Sequence, residues 1–166
     1  MANGYHLAQI NIGRLRAPID DPQIAGFVAR LDEINALAEG SPGYVWRLQT
    51  PVGNATELRP YDDDLIIVNL SVWETPEALR NYVYRSAHAS VMRQRREWFE
   101  RFAGMYYALW WVPAGHEPSV QEATARLEEL RTNGDTPRAF SFTHIFPAPD
   151  APAAAVRGFA DTCPAL

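Results

Sequence analysis

The stretch HLAQINIGRL (6–15) alternates with a period of two. In an extended chain, Leu7, Gln9 and Asn11 point to one side and Ala8, Ile10 and Ile12 to the other. LIIVNLSVWE (65–74) repeats the pattern, with Ile66, Val68, Leu70 and Val72 on an apolar face and Leu65, Ile67, Asn69, Ser71 and Trp73 on a mixed one. Between them, Pro42-Gly43 turns into a further strand where Tyr44, Trp46 and Leu48 alternate with Val45, Arg47 and Gln49. Strands of this kind each need two different neighbours. One face demands an apolar cover, and the other carries amides, hydroxyls and a guanidinium that must meet water, a ligand or each other.

The intervening segments supply the cover. DDPQIAGFVARLDEINALAEG reads as a helix, with Asp21 as N-cap, Pro22 in the first turn and Gly40 at the stop. Ile24, Phe27, Val28, Leu31, Ile34 and Leu37 fall on one helical stripe. Thr75-Pro76-Glu77 opens a second helix whose pattern runs past His88 to about Phe102. YYALWWVPAG reads as a fourth strand, SVQEATARLEELRTNG as a helix opened by a Ser119/Glu122 capping box, and AFSFTHIF as a fifth strand. The polar segment from Thr50 to Asp64 reads as a loop, placed to cover a site.

The order β-α-β-β-α-β-α-β predicts an α+β fold: an antiparallel sheet with helices on one face. The other sheet face then remains open. Two such sheets meeting face to face close a barrel, so the expectation is a homodimer.

With 166 residues, the chain is sized for one domain, read as 1–146, followed by an Ala- and Pro-rich tail over 147–166. Apolar residues make up 47%, enough for a core. A net charge of −5 gives no electrostatic case for nucleic acid; the arginines at 93, 95 and 96 are interrupted by Glu97 and Glu100. One cysteine, Cys163, cannot form an internal disulfide, and the N-terminal stretch lacks the pattern of a signal peptide. With no apolar run long enough for a membrane, the expected setting is the cytoplasm. The histidines at 6, 88, 116 and 144 have no metal-binding spacing, and no phosphate loop, dinucleotide fingerprint or nucleophile elbow is present.

SPGYVWR and VNLSVWETPEALRNYVYRSAH carry a family likeness. They resemble the dimeric α+β barrel superfamily, which includes antibiotic-biosynthesis monooxygenases and haem-degrading monooxygenases, along with several isomerases and cyclases. The matching positions are Pro42, Gly43, Tyr44, Trp73, Tyr82 and His88. HASVMRQRREWFE, LWWVPAGHEPSVQEATARLEEL and TPRAFSFTH are similar to a bacterial and fungal subgroup known only as a domain of unknown function. The likeness spans roughly residues 5 to 146 and implies a ferredoxin-like dimeric α/β barrel. Fold alone licenses no reaction.

On a continuous helix, His88 shares a face with Tyr84, Arg85, Val91, Met92, Arg95 and Phe99. A neutral imidazole there suits a general base, and a guanidinium beside it suits an anion. The expectation is therefore a small-molecule enzyme of the monooxygenase-like type, without a cofactor, acting on a hydrophobic or aromatic substrate such as a natural product. His88 would abstract a proton, Arg95 or Arg85 would hold the anion, and Asn11 or Asn69 would orient it. Tyr84, Met92, Phe99, Trp46 and Trp73 would contact the substrate. The same set serves an isomerase or cyclase. The resemblance also implies a haem alternative, with His88 as axial ligand and Asn11 and Trp73 assisting. The remaining alternatives are a non-catalytic ligand-binding module and a histidine held inertly at the helix–sheet edge.

Overall fold

The computed structural model describes residues 4–49, 60–85, 88–152 and 158; for residues 85, 88, 89 and 92 it describes the backbone alone. In chain order the elements are β1 (Tyr5–Arg14), α1 (Ala25–Glu39), β2 (Tyr44–Arg47), β3 (Ile66–Trp73), α2 (Pro76–Arg85), α3 (His88–Gln94), β4 (Tyr107–Pro113) and α4 (Val120–Asn133). The strands form one antiparallel sheet in the order β2-β3-β1-β4, the ferredoxin-like arrangement.

The local signals act as their chemistry requires. The Asp21 carboxylate accepts the amide of Gln23, Thr75 Oγ1 accepts the amide of Ala78 at 3.1 Å, and Ser119 Oγ accepts the amide of Glu122 at 3.0 Å. Gly43 sits at φ +81, where a side chain is strained, and its carbonyl accepts the amide of Glu74 at 2.8 Å. This turn fixes the β2 hairpin against the start of α2.

Both sheet faces carry helices, though Asn69 on the polar face stays exposed. The face bearing Leu7, Gln9, Asn11, Asn69, Ser71 and Trp73 lies under α1, α2 and α3. The opposite face bears Ala8, Ile10, Ile12, Val68, Leu70, Val72, Ala108, Trp110 and Val112, and α4 packs on it through Ala123, Leu127 and Leu130. All of these side chains are buried within a single chain. Among the described helices, α1, α2 and α3 share one face and α4 packs on the other.

Two expectations are corrected. AFSFTHIF forms no strand, although it alternates. Phe140 exchanges backbone hydrogen bonds with Leu109 at 2.8 and 2.9 Å, but the next amides turn to side chains. Ser141 N donates to Asp135, Phe142 N to the Tyr107 hydroxyl and Thr143 N to Ser141 Oγ. The second helix also does not run to Phe102. Arg95–Glu97 tightens into a 3-10 turn, after which the chain pairs with the end of β1. Arg16 N donates to the Trp98 carbonyl at 2.8 Å and Glu100 N to the Arg14 carbonyl at 2.9 Å.

No helix among the described residues is long and apolar enough to cross a membrane. The Thr50–Asp64 loop lies outside the described residues up to position 59. Its end is anchored, because Asp63 accepts the amide of Leu65 and pairs with Arg14 at 2.7 Å, and Arg14 also pairs with Glu100. At the far end, Asp150 accepts the amide of Gly4 at 3.0 Å.

Candidate functional site

Antiparallel pairing sets side chains from different strands in rows on one sheet face. Leu7 stands opposite Trp73, Gln9 opposite Ser71 and Asn11 opposite Asn69. The middle row extends across the whole sheet as Arg47, Ser71, Gln9 and Leu109. This face should pack on helices, yet its centre is polar, so α1 and α2 do not close down on it. A cavity of about 140 Å³ remains, several times what one water needs.

The polar residues on its floor are joined to one another. Trp73 Nε1 donates to Ser71 Oγ at 2.9 Å. Gln9 Nε2 donates to the same oxygen at 2.8 Å and to Asn69 Oδ1 at 2.7 Å. Gln9 Oε1 accepts from Asn11 Nδ2 at 2.9 Å. An indole N–H can only donate, which makes Ser71 Oγ an acceptor. With two bonds accepted, Ser71 keeps its own hydroxyl hydrogen for a third partner, and accepting bonds makes that hydrogen a better donor. No described residue accepts it. Asn69 keeps its Nδ2 hydrogens and Asn11 one hydrogen on Nδ2 and its Oδ1. The floor therefore offers several neutral donors side by side, from buried Ser71 through half-buried Asn11 to exposed Asn69.

The walls of the cavity are aromatic. Trp73 is fully buried, with Tyr82 stacked on it (centroids 5.1 Å apart) and Tyr44 edge-on at 5.7 Å. At the other end Phe99 meets Phe27 edge-on at 5.0 Å, with Val91 of α3 beside them in the lining. Burial pushes the Tyr82 phenol far above its ordinary range, with Arg47 opposing, so it stays protonated and donates to the Ile34 carbonyl at 3.3 Å. Burial, together with Glu39, also raises the Tyr44 hydroxyl, which Arg47 pulls the other way.

The charged residues of the described lining are Arg30 and Arg47, and no carboxylate is among them. Arg47 Nε bonds Glu39 at 2.8 Å, and Arg30 Nη1 bonds Gln94 at 2.7 Å.

The residues singled out from sequence separate. Asn11, Asn69, Trp73 and Phe99 line the cavity. Trp46 packs with the core on the opposite sheet face, and Tyr84 and Arg95 are not in the described lining. Arg85, His88 and Met92 have side chains outside the described ones; His88 opens α3, three positions before Val91. Gln9, Ser71, Arg47 and Tyr82 were not singled out as site residues. The available signal was the alternation itself, which puts Gln9, Ser71 and Arg47 on one polar row. Among the described residues no group of three or more His, Cys, Asp or Glu side chains is placed to hold a metal.

Fold and cavity together define a ferredoxin-like α+β domain with an aromatic-walled site between sheet and helices. The chain belongs to the family DUF3291, a domain of unknown function, whose sequence profile matches residues 6–156. No curated protein sequence matches it. Among solved structures, it is similar to PA3566 from Pseudomonas aeruginosa, at 11% identity over 70% of this chain and 99% of that one (TM-score 0.46). It is similar to SnoaB, a cofactor-independent oxygenase from Streptomyces nogalater, at 17% identity over 68% and 95% (TM-score 0.45). It is also similar to NE2512 of Nitrosomonas europaea, of unknown function, at 12% identity over 70% and 97% (TM-score 0.42).

Proposed function

We propose that the protein is an enzyme that forms and stabilises the anion of a small aromatic or otherwise hydrophobic substrate in this cavity, without a resident cofactor. The observation that carries the reading is the donor set of Ser71, Asn69 and Asn11, neutral groups tied into one hydrogen-bonded row on the cavity floor, with Ser71 buried, Asn11 half-buried and Asn69 at the exposed end. Donors aimed at one place stabilise charge that develops on an oxygen, and they act most strongly where water is scarce. A phenolate or enolate oxygen is the matching partner. Trp73 and Phe99 would hold the ring system.

His88 is the proposed base, from its position at the head of α3, whose Val91 reaches the cavity wall. The anion has three outlets. Reaction with dioxygen puts one oxygen atom on carbon as a carbonyl and releases the other as water. Return of the proton to a different carbon makes an isomerase instead, and attack of the carbanion on a carbonyl carbon of the same molecule, with the proton returned to the resulting alkoxide, makes a cyclase.

Oxygen uptake and product spectra across a panel of naphthols, hydroxyquinones and cyclic 1,3-diketones test the reading. With a compound that turns over, Asn69→Ala should lower kcat by roughly 10²-fold, the usual effect of removing one such donor. Full kcat in both Asn69→Ala and His88→Ala would remove this mechanism. Hemin titration tests the haem alternative, which requires a Soret shift that disappears in His88→Ala.

A further inference from the structure

Gln9 stands at the centre of the cavity floor and is only 6% exposed. It is hydrogen-bonded to Ser71, Asn69 and Asn11, the residues that carry the donors. A primary amide has two hydrogens on its nitrogen and two lone pairs on its oxygen, so these three bonds can run in either of two directions. In the first, Gln9 Nε2 gives one hydrogen to Ser71 Oγ and the other to Asn69 Oδ1, and Oε1 accepts from Asn11 Nδ2. The Ser71 hydroxyl hydrogen and the Asn69 Nδ2 hydrogens are then left for a ligand. In the second, all three amides turn over, the Gln9 carbonyl takes the Ser71 and Asn69 hydrogens, and the floor presents the Asn69 carbonyl instead. Trp73 donates to Ser71 Oγ equally well in both, so it does not set the direction. Gln9 does, because it has two partners on one side and one on the other. The structure turns its nitrogen toward the two, which uses both hydrogens and leaves idle only one lone pair of the carbonyl. The reverse would leave an N–H of a buried side chain without a described partner, a costlier defect than a half-used carbonyl.

Resting on the substrate-cavity reading above, we propose that Gln9 is the positioning residue that fixes the hydrogen-bond polarity of the site. The site accordingly selects ligands whose oxygen carries no hydrogen of its own, a planar ketone or an oxyanion, over ligands that donate. Gln9 acts through its neighbours. It holds Asn69 by the carbonyl, which turns the Asn69 nitrogen away toward the ligand. It also occupies a lone pair of Ser71, which leaves the hydroxyl hydrogen as that residue's free contact. An ionised glutamate has the shape of glutamine and the opposite demand, since it can only accept. In Gln9→Glu the Ser71 hydroxyl and the Asn69 nitrogen turn toward the new carboxylate, and the Asn69 carbonyl turns toward the ligand.

Titration at mildly alkaline pH with 1-indanone, which can only accept, and indole, whose N–H can only donate, reads the polarity directly. Both probes are neutral, and each is compared with itself across variants. The wild type should bind 1-indanone more tightly than indole. Gln9→Glu should weaken 1-indanone about tenfold, a change of about 1.4 kcal/mol, and tighten indole several-fold. Gln9→Met, which directs nothing, should fall between the two in the ratio of the affinities. The infrared carbonyl band of bound 1-indanone should lie at lower frequency in the wild type than in Gln9→Glu, because the donors that polarise it have turned away. A purely structural role for Gln9 would weaken both probes alike. Equal shifts of the two probes, a wild type that prefers indole, or a carbonyl band that does not move each overturn Gln9 as the source of polarity while the cavity reading stands. Absence of binding of either probe to the wild type overturns both readings. Thermal melts identify a variant that fails to fold, and the other variant then decides through the same affinity ratio.

Discussion

Replacing Ser71 by alanine tests the hydrogen-bonded floor of the cavity more severely than any ligand experiment. The substitution deletes one oxygen and, with it, the acceptor of two donors. Trp73 is completely buried, so its indole N–H has no water to turn to and should cost about 1–3 kcal/mol when left unpaired. Gln9 keeps its bond to Asn69 and borders the cavity, so its loss falls at the low end, about 0.5–1 kcal/mol. The sum is about 1.5–4 kcal/mol, a large part of the 5–15 kcal/mol that holds a typical domain together. Urea unfolding followed by circular dichroism would measure it as a lowered midpoint at unchanged slope. A double-mutant cycle with Trp73→Phe then isolates the indole contribution, since the cost of Ser71→Ala should fall by about 1–2 kcal/mol once the N–H is absent. A loss below about 0.5 kcal/mol in Ser71→Ala, or a cycle with no coupling, would refute the account of Ser71 as a doubly engaged acceptor.

Other positions make equally direct demands. Gly43→Ala should destabilise by more than about 2 kcal/mol in the same urea assay, because the left-handed backbone disfavours a side chain and the new Cβ meets that of Ala78. Leu127→Ala should cost about 2–5 kcal/mol, as for other fully buried leucines, and should raise binding of a hydrophobic dye by loosening α4 from the sheet. Asp63 titrates below the usual carboxylate range, first because of its hydrogen bond to Arg14 and then through the Leu65 amide. A depressed folded pKa adds stability above the unfolded value of about 3.9 and loses it as pH falls through the folded one. Acid unfolding of Asp63→Asn should accordingly be less steep over that window than that of the wild type.

Much of the fold was legible because its signals are local. Period-two alternation marked β1 and β3, and Ser119 and Thr75 capped the helices they precede. The failures came where distant partners decide. Residues 95–99 carry a helical pattern, but their backbone is claimed by the end of β1. The segment 139–146 alternates like a strand, yet Asp135 and Tyr107 take its amides. The stripe on α1 lies over the sheet as its spacing asks, with Ile24, Phe27 and Ile34 in a core cluster with Leu15, Trp98 and Phe99, while Phe27, Leu31 and Ile34 also border the cavity, which the stripe alone did not reveal. The site was half legible for the same reason. Asn11, Asn69 and Trp73 follow from strand alternation, whereas Arg47 and Ser71 join them only through the register that puts one row across three strands.

The position of α4 has a consequence for how the molecule works. A barrel made from two sheets is complete only when two copies meet, and its sites then open and close within a shared body. Here α4 closes the apolar sheet face within one polypeptide, and the cavity lies on the opposite face, its described lining drawn from sheet and helices of the same chain. The sheet is thus shared between two jobs, one face holding the core together and the other free to be shaped by what it binds.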